Sequence, residues 1–178
     1  MRSSVSWSNR LFTAAAFAVL LAAPARAADA DARATLRGLK GVRIVVEDVS
    51  AELRERGITE DVVLAETERQ LRQGGIPIYT EKQRRAFPGE PVLHVQVLAQ
   101  VDVRFDEAAF GVRLELRQNA HLERDRSMRA PGVTTWSTGG IGEAARDWRQ
   151  VLRDEVAYHA GRFVEAWQEA NPPARSTE

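Results

Sequence analysis

The sequence predicts an α+β fold, a two-layer sandwich in which two helices cover one face of a twisted, mainly antiparallel sheet of about four to five strands. Three observations lead there. Two long runs, residues 93–105 and 110–122, alternate apolar and polar side chains, the pattern of paired strands with one wet face. A closing segment from Glu143 to Ala170 repeats Trp148, Leu152, Val156, Phe163 and Trp167 at three- and four-residue steps, the stripe of a helix packed on one side. A β-branched stretch, Gly41 to Val49, precedes a helix-start pattern at Ile58-Thr59-Glu60-Asp61. The order is β-α-β-β-β-β-α.

The first 27 residues read as a cleavable secretion signal. Arg2 and Arg10 flank a polar start, Leu11 to Ala23 is apolar, and Ala25 and Ala27 occupy the small positions of a cleavage site. The apolar run is shorter than the roughly 20 residues that span a bilayer, so no stable anchor is expected after cleavage. The expected location is the periplasm or the exterior. The chain has no cysteine, which excludes a lipidated lipoprotein and disulfides alike.

The 178 residues less the 27 of the signal leave 151, the size of one domain. The whole chain has 25 basic and 25 acidic residues; without Arg2, Arg10 and Arg26 the remainder has 22 basic residues and a net charge of −3. That balance lacks the basic footprint nucleic acid demands. Residues 28–37 read as a flexible leader, 38–171 as a single α+β domain, and 172–178, opening on Pro172-Pro173, as a disordered tail.

Within the domain, Val42, Ile44 and Val46 share one face of the first strand. Residues 50–57 read as a charged connection ending at Gly57. Thr59 is placed to cap the first helix, Glu60 and Asp61 suit its first turn, and Ile58 can staple to Val63. Val63, Leu64, Thr67 and Leu71 form its buried side, and Gly74-Gly75 ends it. Ile76 to Tyr79 reads as a short strand that Pro77 confines to an edge or an irregular path.

In the hairpin, Leu93, Val95, Val97, Ala99, Val101, Val103 and Phe105 face inward, as do Phe110, Val112, Leu114, Leu116, Ala120 and Leu122. Residues 106–109 are expected to join the strands, with Phe105 opposite Phe110. A further strand, Val133 to Thr138, follows a turn at Pro131-Gly132, and Gly139-Gly140-Ile141-Gly142 reads as a flexible hinge into the last helix.

Little in the chain points to chemistry. The expected register sets His94 opposite His121 with Glu123 alongside, two imidazoles and a carboxylate that could hold a divalent ion. Ordinary surface histidines explain the same pattern. Ser137, beside glycines, and His159 supply the only imaginable nucleophile and base, yet no Gly-x-Ser-x-Gly elbow surrounds any serine. Glu47/Asp48, Glu60/Asp61, Asp106/Glu107 and Asp154/Glu155 are sequence neighbours whose side chains point apart. No cofactor is expected. The wet hairpin face, with Leu98 as an apolar contact and Arg113 and Arg117 among mixed charges, could dock a partner.

The Gly41–Val49 strand, the capped helix to Gly74-Gly75, Ile76-Pro77-Ile78, the long hairpin and the closing helix together resemble small bacterial envelope domains of the TolB amino-terminal, LpoB and CsgG type. The resemblance is one of topology and implies helices covering one side of an antiparallel sheet. The expectation is an exported, non-enzymatic protein that binds another envelope protein or component. The alternatives are a small-molecule or divalent-metal binder using the polar hairpin face, and an atypical hydrolase near Ser137.

Overall fold

A computed structural model describes residues 30–173 and has the α+β, two-layer arrangement that the alternating and helical patterns predict. After a helical stretch at residues 30–34 come β1 (Arg43–Val46), α1 (Ala51–Glu55), α2 (Glu60–Gln73), α3 (Glu81–Arg84), β2 (Val92–Asp102), β3 (Glu107–Leu122), β4 (Asp125–Ala145) and α4 (Trp148–Ala170). The sheet runs β1-β2-β3-β4, with β1 parallel to β2 and the other pairs antiparallel. The helix α2 packs on β1, α4 on β3 and β4, and the two helices on each other. The signal at 1–27 lies outside the described residues, as does the end of the tail from 174.

The core sits between this helix pair and the inner sheet face. Leu93, Val95 and Val97 of β2 and Phe110, Val112, Leu114 and Leu116 of β3 are buried, every second residue in each strand. Trp148, Leu152, Val156, Ala160 and Phe163 of α4 close over them, and the Trp136 ring meets Phe163 edge-on at 5.1 Å. Each large apolar side chain among them contributes roughly 1.5–3 kcal/mol by leaving water. Thr59 caps α2 by accepting from the Val62 N–H, and Ile58 and Val63 are both buried, as the staple pattern requires.

Several expectations are corrected. Residues 50–57 are not a bare connection: Ser50 caps α1 by accepting from the Leu53 N–H. Thr80 and Gln83 form a capping box that starts α3. The stretch from Ile76 to Tyr79 makes a single parallel bridge, Ile78 to Val42, and is no full strand. Nor are residues 30–37 a flexible leader. Leu36 is wholly buried, Thr35 Oγ1 donates to the Thr135 carbonyl at 3.1 Å, and Asn171 Nδ2 donates to the Leu36 carbonyl at 2.9 Å.

The last strand is far longer than the Val133 to Thr138 that the sequence predicts. β4 is a 21-residue strand that includes both Pro131-Gly132 and Gly139 to Gly142, and it carries on to Ala145 before α4 starts at Trp148. The glycines are strand residues suited to close approach. A Cβ at Gly139 would stand 2.7 Å from the Val112 carbonyl oxygen, and one at Gly142 2.9 Å from the Phe110 ring. Near the far end, register shifts at Leu116/Arg117, Gln118/Ala120 and His121/Leu122 absorb the irregularity that Gln118 marks in the sequence.

Candidate functional site

The helices cover one face of the sheet and leave the other to solvent. On that outer face β2, β3 and β4 present rungs of three residues. One rung is Leu98, Gly111 and Ile141; the next toward one end is Gln96, Arg113 and Gly139, and then come His94, Glu115 and Ser137. Toward the other end lie Gln100, Ala109 and Glu143, then Asp102, Glu107 and Ala145.

This register differs from the expected one by six residues. The pairing of Asp102 with Glu107 leaves Val103 to Asp106 as the turn, so Val103 and Phe105 are 68% and 65% exposed instead of inward. The cause is local hydrogen bonding. Asp102 Oδ1 accepts from the Arg104 N–H at 2.9 Å and its other oxygen from the Arg104 guanidinium, which ends β2 early. Asp106, at φ +53°, completes the turn, and its side chain accepts from Trp148 Nε1 at 3.3 Å, tying the tip to α4.

His94 therefore lies opposite Glu115, not His121. His121 is six positions along β3, roughly 20 Å away at strand rise, where its Nδ1 donates to the Arg126 carbonyl at 2.8 Å. The metal set of His94, His121 and Glu123 is not assembled. Among the described residues no group of three or more histidines and carboxylates could hold a metal ion. Ser137 and His159 are also separated. Ser137 is on the outer face, whereas His159 projects from α4 to the inner face and meets Thr138, Nδ1 to Oγ1 at 3.1 Å. No nucleophile–base pair results.

What the outer face does hold is an ordered ionic cluster lining a cavity of about 230 Å³, formed by Glu47, His94, Gln96, Arg113, Glu115 and Arg117. Arg117 donates to Glu115 Oε2 at 2.7 Å and to Glu47 Oε1 at 3.4 Å, and lies 3.2 Å from His94 Nδ1. Arg113 pairs with Glu115 Oε1 at 2.6 Å, and Gln96 donates to Glu47 at 2.9 Å. Burial pushes the Glu115 carboxyl up, but the Arg117 hydrogen bond and the Arg113 charge outweigh it, so its pKa falls below the ordinary value. Burial and the Arg117 charge hold His94 below its ordinary value, against the pull of Glu47 and Glu115. These pairings make a fixed pattern of donors and acceptors on the outer face.

Leu98, Arg113 and Arg117 are thus on the outer face as expected. Glu47, Ile141 and Glu143 escaped the sequence reading: Glu47 joins through the parallel β1–β2 pairing, and the other two lie in the stretch read as hinge and helix. Their signal was the alternation of Ser137, Gly139, Ile141 and Glu143 with small residues, which is faint because glycine carries no polarity. Ile141, 95% exposed, and Leu98, 60% exposed, stand over the side-chain-free strip of Gly111 and Gly139.

No family model matches the chain, and no curated protein matches it. Among solved structures it is similar to two PelC dodecamers from Paraburkholderia phytofirmans. One, a variant, has a TM-score of 0.46 and 18% identity over 70% of this chain and 90% of that one. The other has a TM-score of 0.36 and 17% identity over 71% and 83%. The chain is also similar to a minor lipoprotein from Acinetobacter baumannii, at a TM-score of 0.39 and 10% identity over 75% of this chain and 92% of that one.

Proposed function

We propose that this chain is an exported, non-enzymatic envelope protein that works by binding a protein or other component of the envelope through the uncovered face of its sheet. One observation carries the reading: Leu98 and Ile141, exposed at 60% and 95%, share a rung in the middle of that face beside an ordered ionic cluster. Large apolar side chains grouped on a rigid surface and rimmed by fixed charges are the makings of a binding site. The signal pattern at residues 1–27 and the topological likeness to small envelope domains support an envelope setting, with the periplasm as the compartment.

The test is capture from a detergent-solubilised envelope extract with the tagged wild-type protein and with Ile141→Asp. Ile141 lies outside the core, so the variant folds, which circular dichroism verifies. The expected result is an envelope component retained by the wild type and lost with the variant. Identical capture by both proteins would overturn the assignment of the face.

A further inference from the structure

We infer that the occupant of this face is a second copy of the chain, docked sheet on sheet about a two-fold axis that runs along the rung of Leu98, Gly111 and Ile141. The inference rests on reading the face as a binding surface and names what it binds.

The outer face is complementary to itself. A two-fold axis across the strands reverses their direction in the second copy, so whatever lies one rung above the axis meets what lies one rung below it. Arg113 lies one rung to one side and Glu143 one rung to the other, on neighbouring strands. The operation therefore brings Glu143 of each copy level with Arg113 of the other, one strand across. Packed sheets stand about 10 Å apart, a gap that a glutamate and an arginine reaching toward each other bridge. Two rungs out, His94 and Asp102 occupy equivalent distances on opposite sides in β2, so each imidazole faces a carboxylate of the other copy. Gln96 and Gln100 meet in the same way at one rung.

The state of the charges in the single chain fits. Glu143 is exposed and has no ion pair among the described residues, while the exposed Arg113 side chain spends one contact on Glu115 and keeps further donors. On β3 the same operation sets Glu107 of one copy level with Glu115 of the other, where Arg113 and Arg117 already pair with Glu115. On the axis itself Leu98 meets Leu98 and Ile141 meets Ile141. Gly111 and Gly139 leave hollows beside them into which these side chains interdigitate when the sheets cross at the usual angle.

Analytical ultracentrifugation of the purified, exported protein over a concentration series tests this. The expected result is a monomer–dimer equilibrium. Ile141→Asp weakens it at least roughly tenfold, as do Arg113→Glu and Glu143→Arg singly, and the Arg113→Glu/Glu143→Arg double variant recovers most of the loss. Thermal unfolding of each variant shows that the fold is kept. A protein that stays monomeric up to about 100 μM, or a dimer indifferent to these substitutions, would overturn the inference. A monomer that still captures an envelope component in an Ile141-dependent way overturns the self-pairing alone; a monomer whose capture ignores Ile141 overturns the binding face as well.

Discussion

Thr138 Oγ1 lies 3.1 Å from His159 Nδ1, joining β4 to the middle of α4 across the inner face of the sheet. His159 is 5% exposed, and its Nε2 has no hydrogen-bond partner among the described residues; the Glu155 carboxylate is 3.7 Å from it. Gly140 makes room for the ring, since a Cβ there would stand 3.2 Å from Nε2. A histidine that first suggested a base thus serves packing.

Its burial sets a pH dependence. Desolvation lowers the His159 pKa below 6.5, the Arg162 charge adds to this, and Glu155 partly opposes it. The unfolded chain then takes up the proton more readily than the folded one, so stability is greatest above pH 6.5 and falls as the pH drops through that value. His94 shifts in the same direction. Urea midpoints measured at about pH 7.5 and about pH 5.5 are expected to fall on acidification, and to fall less in His159→Gln. An equal fall in both proteins would exclude His159 as a source.

Glu60 behaves with the opposite logic. Its carboxylate accepts from Arg54 Nε at 3.0 Å and from the Val49 N–H at 2.9 Å, clasping α1 and the segment between β1 and α1 to the start of α2. These bonds, Arg54 first, lower its pKa from 4.5 to about 2. The stabilisation is complete above pH 4.5 and is lost as the pH falls toward about 2. Glu60→Gln should melt below the wild type at neutral pH, and the two melting curves should converge in acid.

Trp148 and Arg117 test which side of the sheet is inside. Trp148 is wholly buried and donates to Asp106, so Trp148→Ala should cost about 3–5 kcal/mol in denaturant unfolding. Arg117 is not the plain solvent-facing residue that a wet face implies. Arg117→Glu would place a third carboxylate between Glu47 and the buried Glu115, and should cost about 1–3 kcal/mol.

Two glycines should respond in opposite directions. Gly139→Ala drives a methyl against the Val112 carbonyl and should destabilise by about 1–3 kcal/mol. At Gly161, in α4, an added Cβ would meet nothing within 4 Å, so Gly161→Ala should stabilise by about 0.5–1 kcal/mol through helix propensity. Thermal denaturation of the pair separates strand packing from helix entropy.

The legible features share a cause: each is dictated by neighbours in the chain. Alternation placed Leu93, Val95, Phe110 and Leu114 on one face, a 3.6-residue period placed Trp148, Leu152 and Phe163 on another, and Thr59 announced its helix by cap chemistry. Leu98, Arg113 and Arg117 could be assigned to the wet face for the same reason. The hairpin register could not, because Val103 and Phe105 prolong the apolar rhythm while the Asp102 side chain closes the turn before them. The Gly139–Gly142 stretch misled because flexibility and close packing demand the same residue.

By itself, then, the sequence determined the two layers and the inward face of Leu93, Val95, Val97, Phe110, Val112 and Leu114, since periodicity and local hydrogen bonding need no distant partner. Tertiary structure decided everything that depends on which residue meets which: the parallel pairing of β1 with β2, the separation of His94 from His121 and of Ser137 from His159, and the gathering of Glu47, His94, Arg113, Glu115 and Arg117. Register is a long-range choice, made by the turn and the close approach of glycines to their neighbours across the sheet, and moving it by a few residues exchanges every partner while leaving the pattern along the chain unchanged.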